Sequence, residues 1–185
     1  MEKINERLDK LKEKVASDEF YNNRGLANEV PFYIFDYDGK DELLIRDFIE
    51  NNFIPEFKEN SRIKMVNIDI YELMLESLKN DKIFDKTFKI EEKRGTKILY
   101  EKLKKSFNPS VIVKYIEDKA KDKNVVLISG VGKIYPIVRT HTVLNNLQNI
   151  FNQTKVILFF PGEYTSVDLK LFGFKDNNYY RAFKI

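Results

Sequence analysis

The stretch from Val125 to Gln148, VVLISGVGKIYPIVRTHTVLNNLQ, decides the fold. Val125 to Ser129 is a short, β-branched apolar run and reads as a buried strand. Gly130-Val131-Gly132-Lys133 reads as a glycine turn. The chain then runs through Pro136 into a helix, from about Ile137 to Phe151, that holds the only histidine, His141. Strand, glycine turn and helix form the layout in which α/β proteins place ligand sites. The turn is nevertheless not a working phosphate loop, which needs G-x-x-x-x-G-K-[ST]. Leu127 stands five residues before Gly132, and Ile134 follows Lys133. The first glycine and the metal-binding hydroxyl are both missing.

The same strand-helix pattern extends upstream. Ile4, Leu8, Leu11 and Val15 repeat at helical spacing, and Ser17 is placed to cap a second helix from Asp18 to about Arg24. Pro31 introduces a strand, Phe32 to Phe35, which ends in Asp36 and Asp38 with Gly39 turning the chain. A helix follows from about Lys40 to Phe53, with Leu43, Leu44, Phe48 and Ile49 expected on its inner face and Pro55 ending or extending it. Ile63 to Ile70 reads as a second strand, with Asp69 near its end, and Tyr71 to Leu78 as a helix.

From Asp81 to Lys123 the pattern is helical, interrupted at Gly95 and restarted at Asn108-Pro109, where proline suits the first turn. Val156 to Phe160 is a fourth strand, closed by Pro161-Gly162. Leu169 to Phe174 and Tyr179 to Ile185 read as terminal strands joined by a turn at Lys175–Asn178. Continuous apolar strands alternating with helices indicate an α/β fold: a mainly parallel sheet covered by helices on both faces. It is Rossmann-like or P-loop-like without a working P-loop, with an antiparallel C-terminal edge. One domain is expected over residues 1–185, with a helical insertion at about 81–123.

Composition narrows the chemistry. The chain of 185 residues is 43% hydrophobic and 33% charged, which is globular rather than disordered. Its 32 basic and 29 acidic residues leave a net charge of +3, too balanced to argue nucleic-acid binding by itself. With no cysteine and one histidine, thiolate catalysis, cysteine-ligated metals and a histidine-rich metal site are excluded within the chain. No cofactor and no metal is expected. MEKINERLDKLKEKV lacks an apolar signal core, and no window approaches a membrane span, so a cytoplasmic protein is expected.

Candidate site residues follow from the strand ends, beyond which open parallel sheets bind ligands. Asp36, Asp38, Asp69, the segment Gly130 to Lys133, and Glu163, read as an acid presented on a tight turn after Pro161-Gly162, all fall there. Two carboxylates near Lys133 could hold magnesium and a phosphate. The competing reading is that Asp and Gly end strands because turns need them. That reading is preferred for Asp69 and Asp38, and both stand for Asp36 and Glu163. Gly130 and Gly132 serve backbone geometry first. His141 with Arg139 reads as a polar pair at the sheet edge or as an acid–base group; a structural or partner-contact role is preferred, since no serine or cysteine nucleophile in a recognisable motif accompanies them. Asn145, Asn146 and Gln148 are poor helix formers whose side chains should make contacts worth that cost. Tyr180 and Arg181 are residue types common in binding hot spots and equally ordinary in edge strands.

Taken in order, NEVPFYIFDYD (Asn28–Asp38), SGVGKIYPIVRTHTVLNNLQ (Ser129–Gln148), FFPGEYT (Phe159–Thr165), LKLFG (Leu169–Gly173) and NNYYRAFKI (Asn177–Ile185) resemble the BrxB family of bacterial BREX phage-defence systems. The resemblance covers nearly the whole chain and is least distinctive from Asp81 to Lys123. It implies a role in excluding phage and brings no settled catalytic residue. It also implies a non-catalytic interaction or scaffold subunit that contacts a PglZ-type, alkaline-phosphatase-like protein and possibly other BREX subunits. The alternative is a nucleotide or nucleic-acid binder that uses the strand-end cluster. A hydrolase or nuclease using Asp36, Asp38 and Glu163 is the least favoured reading, because no recognised nuclease spacing appears.

Overall fold

A computed structural model describes residues 3–22, 31–60, 62–147, 151, 154–166, 168–176 and 182–185. The main sheet is built from β1 (Phe32–Asp36), β2 (Met65–Asp69), β3 (Val125–Ser129), β4 (Lys155–Phe160) and β8 (Phe183–Lys184). Their order is β2-β3-β4-β1-β8 and every pairing is parallel. β1, β3 and β4 are buried along their whole length, as continuous apolar runs require when both faces are covered.

Side chains alternate between two cores. Phe32, Ile34, Val126, Ile128, Val156 and Leu158 face one layer. It is made by α5 (Ile70–Asn80), α7 (Pro109–Lys119), α8 (Val131–Ile134) and α9 (Thr140–Leu147). Tyr33, Phe35, Val125, Leu127, Ile157 and Phe159 face the other layer. That layer contains α1 (Ile4–Ala16), α2 (Asp18–Asn22), α3 (Glu42–Asp47) and α4 (Ile54–Phe57). The cap expected at Ser17 is present, and at the expected helix start Asn108-Pro109 the asparagine also caps. Ser17 Oγ accepts from the Phe20 N–H at 3.3 Å, and Asn108 Oδ1 accepts from the Val111 N–H at 3.2 Å, with Pro109 opening α7.

Four local expectations need correction. The helix expected over Lys40–Phe53 is a composite: a 3₁₀ turn at Gly39–Asp41, α3, a π-helical stretch at Phe48–Phe53, then α4 carrying Pro55. Phe48 and Ile49 are buried as expected, but Leu43 and Leu44 are 73% and 38% exposed, and the inner face is completed by Ile45 and Phe53. The π turn advances the chain by an extra residue, so Phe53 stacks on Phe48, five positions earlier, at 5.2 Å. Second, Gly130–Lys133 is not an open turn. Gly130 is left-handed (φ 73°), and α8 starts directly after it; α9 follows only at Thr140.

Third, the strand expected over Leu169–Phe174 divides at Phe172-Gly173, both with positive φ, into β6 (Leu169–Leu171) and β7 (Phe174–Asp176). Fourth, with β5 (Gly162–Tyr164) these form a separate antiparallel sheet, ordered β5-β6-β7. The expected C-terminal antiparallel pairing therefore lies outside the main sheet, and the terminal β8 joins β1 in parallel. The turn expected at Lys175–Asn178 falls partly outside the described residues. The helical 81–123 region contains α6 (Phe84–Ser106) and α7, and α6 is broken at Gly95 (φ 80°, ψ 163°). Among the described residues, no helix is long and apolar enough to cross a membrane.

Candidate functional site

The carboxyl ends of the strands gather most of the expected site residues, but as two separate ionic groups. In register, Asp36 ends β1 opposite Phe160 of β4, and Asp69 ends β2 opposite Ser129 of β3. β3 and β4 stand between the two acids.

The first group is centred on Asp36, whose carboxylate is only 7% exposed. Its Oδ1 accepts from Arg7 Nη2 at 2.9 Å. Its Oδ2 accepts from Lys184 Nζ at 2.5 Å and from the Tyr164 backbone N–H at 3.0 Å. Arg7 lies 4.6 Å above the Phe35 ring, and Lys184 also donates to the Tyr164 carbonyl at 3.2 Å. Two cations and an amide thus saturate this acid, as burial of a carboxylate demands. Neither Arg7 nor Lys184 carries a sequence signal, because each is brought to Asp36 only by the fold.

The second group is centred on Asp69. Its Oδ1 caps α5 by accepting from the Tyr71 and Glu72 N–H groups at 3.0 and 3.1 Å. Its Oδ2 pairs with Lys133 Nζ at 2.5 Å; Lys133 is also 3.7 Å from Glu72 and 5.5 Å above the Tyr71 ring. Gly130 permits this arrangement, since a Cβ there would fall 2.1 Å from Asp69 Oδ1. A Cβ on Gly132 would fall 2.8 Å from Pro161 Cγ, so the second glycine lets the β4–β5 corner approach.

The remaining candidates are dispersed. Asp38 is exposed, accepts from the Lys40 N–H at 3.1 Å and pairs with its ammonium at 3.1 Å. The amide, then the ammonium, hold its carboxyl below the usual value. Glu163 is not on a tight turn but within β5, cross-strand from Lys170, and the two pair at 3.0 Å. Arg139 is exposed and precedes α9, whose Thr142 N–H bonds its carbonyl at 3.1 Å, and His141 is buried on α9. Asn146 spends its amide on its own helix, donating to the Thr142 carbonyl at 2.7 Å. Tyr180, Arg181 and Gln148 lie outside the described residues.

Sequence reasoning also passed over Tyr37. Its buried hydroxyl donates to Glu42 Oε2 at 2.6 Å, and its N–H bonds the Phe160 carbonyl at 3.0 Å. Burial first, then the Glu42 carboxylate, raise this hydroxyl well above the ordinary tyrosine pKa.

Connections leave β1 and β3 toward opposite faces of the sheet with β4 between them, so the ends of β3, β4 and β1 are where such folds open a ligand crevice. Here the chain fills that position itself. β4 continues through Pro161 into β5, Tyr164 is 1% exposed, and its hydroxyl donates to the Ala182 carbonyl at 2.9 Å. An apolar cavity between Ile70, Val131, Ile134 and Val143 measures about 10 Å³, room for one water molecule. A larger polar groove of about 210 Å³ lies away from the strand ends, between α1 and the α3–π stretch. Among the described residues, no group of three or more acids or histidines is placed to hold a metal ion.

A family model described as BREX protein BrxB matches residues 66–185. A protein of Bacillus cereus (strain H3081.97) named BREX protein BrxB is 40% identical, with 100% of this chain and 98% of the relative covered. One of Escherichia coli O9:H4 (strain HS) with the same name is 29% identical, covering 97% and 90% respectively. No solved structure matches the chain.

Proposed function

This chain belongs to the BrxB family of BREX proteins, and from that premise we propose that it is a non-catalytic interaction subunit that binds a PglZ-type partner. Membership makes it a component of a BREX anti-phage system. The observation that carries the finer reading is the state of the strand-end acids. Asp36 and Asp69 are each neutralised by a cation of the chain's own, and the switch-point crevice is occupied by Tyr164. Chemistry at this edge would first have to break those ion pairs. A fold that fills its own ligand crevice is left with its outer surfaces for recognition. The nucleotide alternative meets the same obstacle, because Lys133 is committed to Asp69.

The test is co-purification of the tagged protein with the PglZ-type protein of its own system, followed by sizing. A stoichiometric complex stable through gel filtration is expected. Elution of the two proteins apart would overturn the partner assignment. Magnesium-dependent nucleotide binding lost in Lys133→Ala would replace it with the alternative.

A further inference from the structure

α6 is two helical segments, 84–94 and 96–106, that meet at Gly95, and none of its side chains is buried. A surface helix of a globular protein ordinarily hides an apolar stripe. Here Phe84 and Leu103 only lean on the core, while Phe88 is 57% and Ile98 40% exposed. The helix is also bent by its own sequence. Gly95 takes a backbone conformation essentially reserved for glycine, and a Cβ built there would meet nothing within 4 Å. The bend is therefore not forced by crowding against the core.

Charge is concentrated on the same element. Phe84 to Ser106 contains eight Lys or Arg against four Asp or Glu, a net of +4, while the whole chain carries +3. The rest of the molecule is thus slightly acidic. All eight basic side chains are exposed. Among the described residues none of them makes an ion pair, in contrast to Arg7, Lys119, Lys133, Lys170 and Lys184.

We propose that α6 is the docking arm of this protein, and that its occupant is an acidic surface on the partner protein with an apolar cleft for Phe88 and Ile98. This rests on the partner-binding reading above and names the face that performs it. Charge complementarity supplies the occupant's sign, and the exposed Phe88 and Ile98, one on each side of the Gly95 break, supply its apolar contacts. A nucleic acid fits less well. Glu91, Glu92 and Glu101 are interleaved with the lysines, and a uniformly charged phosphate backbone cannot avoid them, whereas discrete acids on a protein can.

The experiment measures affinity of the full chain for the PglZ-type protein at low and moderate salt, for the wild type and three variants. Lys89→Glu/Lys93→Glu reverses charge on the arm. Lys58→Glu/Lys64→Glu reverses the same charge elsewhere on the exposed surface. Phe88→Ser removes the apolar contact. Matching thermal melts establish that the variants fold. Expected is weakening on the order of tenfold or more for the arm reversal and for Phe88→Ser, none for the control, and a wild-type affinity that falls with salt. Wild-type affinity in both arm variants would overturn the docking arm while leaving the partner reading intact. Retention of duplex DNA by the wild type, lost in Lys89→Glu/Lys93→Glu, would overturn it in favour of a nucleic-acid surface. If the wild type fails to bind the partner, the partner reading falls and the docking arm falls with it.

Discussion

At the scale of single residues, Gly130 shows how one missing Cβ organises a sheet edge. Its left-handed backbone and its closeness to Asp69 are separate demands, and only glycine meets both. Gly130→Ala is expected to cost about 2–4 kcal/mol, combining the strained backbone with displacement of the Asp69 cap. Urea unfolding measures it. In an Asp69→Ala background the penalty should shrink toward about 1 kcal/mol, since the clash partner is gone and only the backbone cost remains. An undiminished penalty would show that the two residues are not coupled. Gly130 and Lys133 stood out in the sequence, and the expectation that the glycines serve backbone geometry agrees with the structure. The pairing of Lys133 with Asp69 did not stand out, because the two are 64 positions apart, one in α8 and the other at the end of β2.

At the scale of elements, the patterns that repeat along the chain were readable and the irregular ones were not. α1 buries Leu8, Leu11 and Val15 from a plain 3.6-residue period. α7 begins at Asn108-Pro109 because the cap and the first-turn proline are local chemistry. Asn108→Ala should therefore destabilise the protein by about 1 kcal/mol, read as a lowered urea midpoint with unchanged slope. A shift near zero would mean that solvent or neighbouring groups satisfy the freed Val111 amide. The π stretch at Phe48–Phe53 is the opposite case. Its extra residue per turn has no periodic signature, and in the ordinary helical turn before it Ile45 is buried while Leu43, which was placed inward, is exposed. The terminal strands went astray similarly: a two-residue turn at Phe172-Gly173 lacks the Asn-Gly or Asp-Gly signal that marks such hairpins.

At the scale of the whole molecule, Asp36 ties together segments from both ends of the chain: Arg7 of α1, Tyr164 of β5 and Lys184 of β8. Asp36→Asn leaves two cations facing an uncharged amide and should lower stability by about 2–4 kcal/mol. This is below the usual cost of breaking a fully buried pair, because Arg7 is 24% and Lys184 46% exposed. A loss under about 0.5 kcal/mol would class the cluster with ordinary surface ion pairs. By itself the sequence determined the α/β class, the buried parallel strands, the helix caps and the absence of a working phosphate loop. Each of these is set by residues within a few positions of one another, through side-chain period, turn chemistry and motif spacing. Only the tertiary structure decided that the strand-end acids are saturated, that a second small sheet fills the crevice, and that α6 is left uncovered. Those outcomes depend on which distant segments the strand order β2-β3-β4-β1-β8 brings side by side, and no local pattern encodes that order.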